Sequence, residues 1–313
     1  MTHIFISGEI PVSGYEALKT YSVNVYQNEG VISEDDLIKG VREATALLCP
    51  LSTKVTRKVI ESAPSLKIIA NYGAGFDNID VVAAKERGIV VTNTPKVSTD
   101  ATAELTLGLM LSLMRRIPEG DQLCRTVGFN GWAPLFFLGR ELKGKTLGIV
   151  GYGKIGQAVA KRAQAFGMNI LYTARAKKET ENDINYRPFN QLIQEADIVS
   201  IHTAYSKETH HLFKEETFKQ MKNSAILLNV SRGPVVHEEA LVHALKQKEI
   251  AGAALDVFEK EPLIHEELKT LANVVLTPHI GNATVETREE MARLAAGNII
   301  SYLEEGMALT PIG

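Results

Sequence analysis

Short apolar runs alternate with segments of helical spacing in the first third of the chain. Residues 4–6, 46–49, 66–70 and 89–92 are apolar runs of strand length, and residues 15–19 open one of the helical segments between them. Strands that alternate with helices in this way are typical of βα units, in which the strands form a parallel sheet. The first third is therefore predicted to form one parallel sheet flanked by helices.

A second series of the same kind extends over residues 145–277. Between the two series, a long helical pattern runs from Thr99 to Arg116 and is expected to end before Pro118, and a looser stretch follows at residues 128–140. The last segment, residues 286–305, again has helical spacing and is expected to pack back on the first series.

These patterns predict an α/β fold with two Rossmann-like domains, each with a parallel sheet flanked by helices. The second domain, residues 99–286, is expected to be inserted in the first, which residues 1–98 plus 287–313 would form.

Composition narrows the class of protein. The chain has 313 residues, 45% of them hydrophobic, and a net charge of −3, which gives no general attraction to nucleic acid or anionic membranes. Cys49 and Cys124 have no metal-ligand spacing, and two cysteines suit a reducing compartment. The longest apolar stretch, residues 105–114, is too short to cross a bilayer. We expect a cytoplasmic protein with no metal, nucleic-acid or membrane partner.

A glycine-rich loop follows the apolar run at residues 146–150. Its sequence is GYGKIG at residues 151–156, and a helical stripe comes directly after it. Gly151 would permit a tight turn, Gly153 would let a pyrophosphate approach the backbone, and Gly156 would allow close packing of helix on strand. A tight turn without a ligand is the alternative, but the βα setting favours a dinucleotide site. Residues 99–286 are therefore the predicted dinucleotide-binding domain, and residues 1–98 plus 287–313 are the predicted substrate (catalytic) domain.

The next strand lacks the acidic residue that normally binds the ribose of NAD. Its end carries Ala174 and Arg175, with Lys177 and Lys178 nearby. Arg175 would suit the 2′-phosphate of NADP, so the predicted cofactor is NADP, with NAD as the alternative. For the two lysines, a solvated basic loop is the favoured interpretation.

Three chemically distinct residues follow later apolar runs. Arg232, Glu261 and His279 come after the runs at residues 225–230, 250–257 and 274–277. Ligands of open α/β sheets bind beyond the carboxyl ends of the strands, so the three side chains could converge there. Taken singly, each would more often be a surface residue; taken together, they indicate an active site.

The motifs around these residues resemble those of the D-isomer-specific 2-hydroxyacid dehydrogenase family. They are NVSRGP at residues 229–234, DVFEKEP at 256–262 and TPHIG at 277–281. The resemblance implies that Arg232 binds the carboxylate of a 2-oxo acid and that His279 is the general acid or base. It also implies that Glu261 orients His279, while the amides of Gly73, Ala74 and Gly75 add donors to the carboxylate.

The same resemblance implies further contacts and an assembly. Lys154 and Ile155 would flank the pyrophosphate, and His202 would lie near the adenine. Four more residues would line the cofactor, with the last of them near the nicotinamide carboxamide: Thr102, Thr203, Val230 and Asp256. The family also implies a homodimer.

The stretch from Phe129 to Gly139, which includes Trp132, resembles the glyoxylate/hydroxypyruvate reductase and 2-ketogluconate reductase branch. We therefore expect NAD(P)H-dependent reduction of a small 2-oxo acid to the D-2-hydroxy acid. Phosphoglycerate dehydrogenase activity stays an alternative, although that branch has an arginine where Asn71 stands. Two further hypotheses are a dinucleotide-sensing corepressor and a formate or phosphite dehydrogenase.

Overall fold

The structure is a computed structural model that describes residues 2–28, 30–178 and 184–312. The chain divides into two compact units, Met1–Ser98 with Asn282–Gly313, and Thr99–Gly281. The sequence prediction placed the second boundary after residue 286. The structure places it earlier because Thr284 caps the long C-terminal helix, so the whole helix belongs to the first unit.

The described residues form strands and helices that mostly alternate along the chain. The strands are β1 (His3–Ile6), β2 (Ser22–Val25), β3 (Ala46–Pro50), β4 (Ile68–Tyr72), β5 (Val90–Thr92), β6 (Thr146–Val150), β7 (Asn169–Thr173), β8 (Ile184–Tyr186), β9 (Ile198–Ile201), β10 (Ile226–Asn229), β11 (Gly252–Leu255) and β12 (Val274–Leu276). The α-helices are α1 (Val12–Leu18), α2 (Glu34–Val41), α3 (Arg57–Glu61), α4 (Val81–Glu86), α5 (Thr99–Met114), α6 (Ile117–Arg125), α7 (Lys154–Ala165), α8 (Phe189–Glu195), α9 (Glu215–Phe218), α10 (Glu238–Lys246) and α11 (Val285–Glu305). Short 3₁₀ turns occur at Gly233–Val235 and Glu266–Thr270.

The first unit contains a five-stranded parallel sheet in the order β2-β1-β3-β4-β5. Successive strand residues face opposite sides. Phe5 packs in the cluster with α2, α3 and α4, whereas Ile4 and Ile6 pack with α1 and α11. Helix α11 thus covers one face of this sheet, which explains why its inward positions are small or apolar, as at Ala292 and Ala295.

The second unit contains a seven-stranded parallel sheet in the order β12-β11-β10-β9-β6-β7-β8. Helices α8 and α10 cover one face, and α5 and α7 cover the other. The strand order reverses between β6 and β9, which are neighbours in the sheet but far apart in sequence. Such a switch point leaves a crevice beyond the carboxyl ends of the strands, where ligands of this architecture bind.

The predicted α/β class with two parallel, helix-flanked sheets is confirmed. The helix from Thr99 was predicted to end before Pro118, and it does, but the helix that follows it was not predicted. Helix α5 stops at Met114, Arg116 adopts a left-handed conformation with φ 55°, and α6 then begins at Ile117. Pro118 lies in the first turn of α6, where a helix needs no amide from it.

Across the described ranges, no helix combines the length and the apolar character needed to cross a bilayer.

Candidate active site

Asp256 organises the loop that carries His279. It follows β11, is 1% exposed, and accepts the hydroxyl of Thr277 at 2.7 Å and the amides of Ile280 and Gly281 at 2.8 Å each. The amide of His279 donates to the Asp256 carbonyl at 2.8 Å. One residue therefore holds the whole loop, in which His279 adopts a left-handed backbone with φ 53° that non-glycine residues rarely enter.

Burial and hydrogen bonding shift the pKa of Asp256 in opposite directions. Burial raises the pKa of Asp256 above its ordinary value, and the bonds from Thr277 and the amides of Ile280 and Gly281 offset only part of that effect. Thr102, on α5, adds a bond from its hydroxyl to the Gly281 carbonyl at 3.0 Å. The predicted cofactor residues Thr102 and Asp256 thus meet at the same loop.

His279 and Glu261 form a close pair. The His279 Nδ1 lies 2.8 Å from Glu261 Oε2, and Glu261 Oε1 accepts the amide of Phe258 at 3.0 Å. Burial raises the pKa of Glu261, but the bond and charge of His279, the Phe258 amide and the Arg232 guanidinium together hold it below its ordinary value. Because the carboxylate is ionised, Nδ1 is the protonated nitrogen, and Nε2 remains for proton exchange with a ligand.

Asn229 shapes the turn that carries Arg232. It is buried at the end of β10, where its Oδ1 accepts the amide of Ser231 at 3.1 Å and the Ser231 hydroxyl at 3.0 Å. Its Nδ2 donates to the Arg232 carbonyl at 3.0 Å. The side chain therefore replaces backbone partners in the turn and fixes the position from which the guanidinium extends.

Gly233 joins this turn to the loop of Glu261. A Cβ at Gly233 would lie 1.8 Å from the Phe258 carbonyl oxygen, so only glycine permits the contact. The Arg232 guanidinium is close enough to Glu261 to lower the pKa of that carboxyl. The structure thus brings Arg232, Glu261 and His279 together within one unit.

The three glycines of the GYGKIG loop differ in what requires them. Gly151 has φ +98°, and a Cβ there would lie 2.6 Å from the Thr203 amide nitrogen. A Cβ at Gly156 would lie 2.4 Å from the Gly151 carbonyl oxygen. A Cβ at Gly153 would meet nothing within 4 Å. Packing explains the first and third glycines, whereas Gly153 faces open space at the start of α7.

This open space suits an anion. Gly153 is the N-cap of α7 and provides no side-chain cap, and Lys154 and Ile155 form the first turn. Helix N-termini attract phosphates because their amide donors are unsatisfied and the helix dipole is positive there. The residues present therefore fit the pyrophosphate of a dinucleotide.

The basic loop after β7 is anchored by Tyr172. The buried phenol donates to the Lys178 carbonyl at 2.8 Å and accepts the Lys178 amide at 2.9 Å, and its ring stacks on Tyr152 at 4.2 Å. Arg175 is exposed on the loop. A bond from Ser206 lowers the pKa of Glu208, and the charge of Arg175 makes the smallest contribution to the same shift.

The remaining predicted cofactor residues lie at the ends of neighbouring strands. Val230 is buried directly after β10, and Thr203 lies two residues beyond β9. His202 binds the Ser200 hydroxyl through Nε2 at 2.8 Å, while its buried Nδ1 has no hydrogen-bond partner in the described part of the chain. Burial lowers the pKa of His202 to about 3, so its ring is neutral near pH 7.

Gly73, Ala74 and Gly75 belong to the first unit, where they form a turn after β4. The Asn93 amide binds the Ala74 carbonyl at 2.7 Å, and the Asn71 amide binds the Gly75 carbonyl at 2.6 Å. Within the described ranges, the backbone amides of Ala74 and Gly75 have no acceptor. These two donors are therefore available to a ligand.

Sequence reasoning missed the residues that hold the site. Asn229 and Gly233 were part of a quoted motif but received no role, and Asp256 was assigned only to the cofactor. Their positions in the motifs were the available signal, since short polar or glycine residues beside a strand end often shape turns. Among the described residues, no group of three His, Cys, Asp or Glu side chains could hold a metal ion.

Known proteins resemble the whole chain. Residues 107–281 match the model of the D-isomer specific 2-hydroxyacid dehydrogenase NAD-binding domain. A protein of Staphylococcus aureus strain MRSA252 assigned as a 2-hydroxyacid dehydrogenase is 54% identical over 97% of both chains.

Two solved structures extend this comparison. A protein from Thermus thermophilus has a TM-score of 0.94 at 42% identity and covers 100% of both chains. An NADPH-dependent glyoxylate/hydroxypyruvate reductase from Sinorhizobium meliloti, in complex with NADP and malonate, has a TM-score of 0.88 at 33% identity and covers 100% of this chain and 97% of its own. The chain therefore belongs to the D-isomer-specific 2-hydroxyacid dehydrogenases, a family of enzymes that use a nicotinamide dinucleotide.

Proposed function

We propose that this enzyme reduces a small 2-oxo acid, of the glyoxylate, hydroxypyruvate or 2-ketogluconate type, to the D-2-hydroxy acid. The observation that carries the proposal is the 2.8 Å bond between His279 and Glu261, with Arg232 beside it. The structural relative from Sinorhizobium meliloti, a glyoxylate/hydroxypyruvate reductase, supports the substrate class.

Each proposed catalytic side chain has a defined role in this reaction. Arg232 binds the carboxylate of the oxo acid and polarises its carbonyl, because a planar guanidinium offers two parallel donors. His279 donates the Nε2 proton to the carbonyl oxygen as hydride arrives at the carbonyl carbon. Glu261 keeps the His279 ring oriented and compensates the charge of the imidazolium. The amides of Ala74 and Gly75 would add donors to the substrate carboxylate, whereas the amide of Gly73 already donates to the Asn71 carbonyl at 3.0 Å.

The dinucleotide supplies that hydride when it is bound. The chain would hold its pyrophosphate at Gly151, Gly153, Lys154, Ile155 and Gly156, where Gly153 leaves room for it. Thr102, Thr203, Val230 and Asp256 would line the rest of the site. With two loop amides and a threonine hydroxyl already bound to its carboxylate, Asp256 has limited acceptor capacity left for a carboxamide.

NADP is the proposed cofactor in preference to NAD. Arg175 is exposed at the end of β7, where an arginine can bind a 2′-phosphate. Ala174 precedes it in place of the acidic residue that would bind the ribose of NAD. The relative from Sinorhizobium meliloti was crystallised with NADP, which supports this choice.

A phosphorylated substrate fits poorly. Asn71 is 0% exposed, and its side chain is bound to Gly75, Asn78 and Cys49. It therefore has neither the charge nor the access to meet a phosphate dianion, and burying that dianion without a cation is costly. This favours unphosphorylated oxo acids over phosphoglycerate dehydrogenase activity.

A homodimer is the proposed assembly. The segment after α6 exposes apolar side chains that a monomer rarely displays together, among them Trp132 at 87% and Leu135 at 85%. A second copy of the chain would cover them. Light scattering on the protein and on Trp132→Glu measures the molar mass, and a parent at the monomer mass would refute the dimer.

The proposed activity is tested with a panel of 2-oxo acids, each assayed with NADPH and with NADH. Glyoxylate, hydroxypyruvate and 2-ketogluconate should be reduced, and 3-phosphohydroxypyruvate should give a lower kcat/KM than hydroxypyruvate. Binding of either dinucleotide without turnover of any acid would instead favour a corepressor-like role. Assays of formate and phosphite oxidation with NAD and NADP test whether the enzyme is a formate or phosphite dehydrogenase.

A further inference from the structure

Glu259 carries a second carboxylate on the loop of Glu261. Its Oε1 lies 2.7 Å from His211 Nε2, and its Oε2 accepts the backbone amide of Glu238 at 3.0 Å. A second hydrogen bond joins the same two residues in the opposite direction, from the backbone amide of Glu259 to the Glu238 Oε1 at 2.6 Å. Three segments that are distant in sequence therefore meet at one carboxylate.

The charges in this network are unequal. Burial raises the pKa of Glu259, but the donors from the Glu238 amide and the His211 ring outweigh it and hold the pKa below its ordinary value. Burial dominates at Glu238 and raises its pKa. The Glu259 carboxylate receives two donors at once, which makes its position well defined.

His211 links Glu259 to the turn after Arg232. Its own amide donates to the Pro234 carbonyl at 2.9 Å, and the next pairing runs from the Phe213 amide to the Val235 carbonyl at 3.1 Å. The imidazole stacks on His210 at 3.8 Å. The His211 ring therefore holds Glu259, while the His211 backbone holds the turn.

The Phe258–Glu259 segment contacts both catalytic segments. Its Phe258 carbonyl packs against Gly233, where a Cβ would overlap it. The Phe258 amide, in the preceding peptide, donates to Glu261 at 3.0 Å. A shift of Phe258 would therefore disturb the contacts of both Gly233 and Glu261, which neighbour Arg232 and the His279 pair.

We propose that Glu259 and His211 are positioning residues for oxo-acid reduction. Their hydrogen bond fixes the Phe258–Glu259 segment, which contacts Gly233 on one side and Glu261 on the other, and neither side chain needs to touch the substrate. A misplacement of about 1 Å among reacting groups can cost on the order of 10²-fold in rate. The inference rests on the proposed function, because Glu259 and His211 would position the catalytic residues of that reaction.

The test is a double-mutant cycle of Glu259→Ala and His211→Ala, assayed with glyoxylate and NADPH. Each single variant should lower kcat about tenfold and raise KM for glyoxylate several-fold, since Arg232 and His279 are both displaced. KM for NADPH should stay unchanged. The double variant should be no worse than the worse single, because the two residues act through one bond.

Two further variants separate positioning from folding. Glu259→Gln keeps an acceptor for the Glu238 amide and can donate to an unprotonated His211 Nε2, so it should recover activity to within a few-fold of the parent. Glu239→Gln, an exposed neighbour on α10, is the matched control and should change neither constant. Thermal melting of every variant gives the folded fraction at the assay temperature.

A merely structural role predicts a different result. Loss of folded protein lowers kcat in proportion to the folded fraction and leaves KM for glyoxylate unchanged, and that outcome would overturn the inference while the parent stays active. A parent that reduces no 2-oxo acid would instead refute the proposed function, and the positioning role with it.

Discussion

Glu261 binds two partners at once, the imidazole of His279 at 2.8 Å and the amide of Phe258 at 3.0 Å. The second bond ties the carboxylate to its own loop, so Glu261 cannot rotate away from His279 without losing it. The loop of His279 is in turn held by Asp256. The pair is therefore fixed from both sides before any substrate binds, which is the preorganisation that acid–base catalysis needs.

His279→Ala should lower kcat for glyoxylate reduction by about 10²-fold or more, the usual size of a lost general acid. Glu261→Gln should lower it less, by about tenfold, since a charge-assisted bond contributes about 1.5–3 kcal/mol. Dissociation constants for NADPH, measured by fluorescence titration, should barely change in either variant. A His279→Ala enzyme with near-normal kcat at neutral pH would show that another group donates the proton.

Arg232→Lys should raise KM for the oxo acid at least about tenfold and also lower kcat. Lysine keeps the charge but loses the two parallel donors that anchor a carboxylate and polarise the adjacent carbonyl. The Asn229 bonds to the turn involve backbone and Ser231, so the turn itself should survive the change. Unchanged steady-state constants would mean that the carboxylate is bound elsewhere.

Two alanine substitutions in the glycine loop should affect different properties, one the binding of NADPH and the other the stability of the fold. Gly153→Ala should weaken NADPH binding about tenfold or more with little change in the melting temperature, because the new methyl group would occupy space that only a ligand needs. Gly156→Ala should destabilise the fold by about 1–3 kcal/mol, since its Cβ would overlap the Gly151 carbonyl. Titration calorimetry and thermal melting separate the two. A Gly153→Ala protein that binds NADPH normally would place the pyrophosphate elsewhere.

Acid should weaken the contribution of Glu261 to stability. Its pKa is lowered in the folded state, so the ionised carboxylate stabilises the fold above its ordinary pKa of about 4.3, and this contribution is lost as pH falls through the folded-state value. The difference in unfolding free energy between the parent and Glu261→Gln should therefore be largest near pH 6 and shrink below about pH 4. Urea unfolding at a series of pH values measures it, with Glu239→Gln as the control. A difference that grows on acidification would contradict the assigned direction.

Sequence patterns predicted the convergence of the proposed catalytic residues better than the residues that position them. Arg232, Glu261 and His279 are the kinds of side chain that chemistry requires, and each stands after a strand, so their convergence followed from parallel-sheet geometry. Asp256 and Glu259 act through partners 20 or more residues away, such as Gly281 and Glu238. Those contacts depend on the three-dimensional register of neighbouring strands, which the spacing of apolar residues does not specify.

Local rules did not predict the start of one helix. The helical pattern from Thr99 was expected to end before Pro118, and α5 does end before it, at Met114. Helix α6 then starts at Ile117, with Arg116 in a left-handed conformation between the two helices. Proline cannot continue a helix interior but is compatible with the first turn of a new helix, so the residue alone could not distinguish an end from a beginning.

Cofactor preference depends on the exposed end of β7. Ala174 offers no carboxylate to a ribose hydroxyl, and Arg175 can form a charge-assisted bond to a 2′-phosphate. Solvent weakens such a bond, so we expect kcat/KM for NADPH to exceed that for NADH about tenfold, equivalent to about 1.4 kcal/mol.

Two variants test the origin of this preference. Ala174→Asp should favour NADH, because the new carboxylate would accept the ribose hydroxyl and repel the phosphate. Glu208→Gln should strengthen the preference for NADPH slightly, since it removes a negative charge that interacts with Arg175. Both are measured as the ratio of kcat/KM for the two cofactors, with Arg175→Ala as the reference in which the preference should vanish. A parent that already favours NADH would show that Arg175 points away from the ribose and that the loop after β7 is only a solvated edge of the sheet.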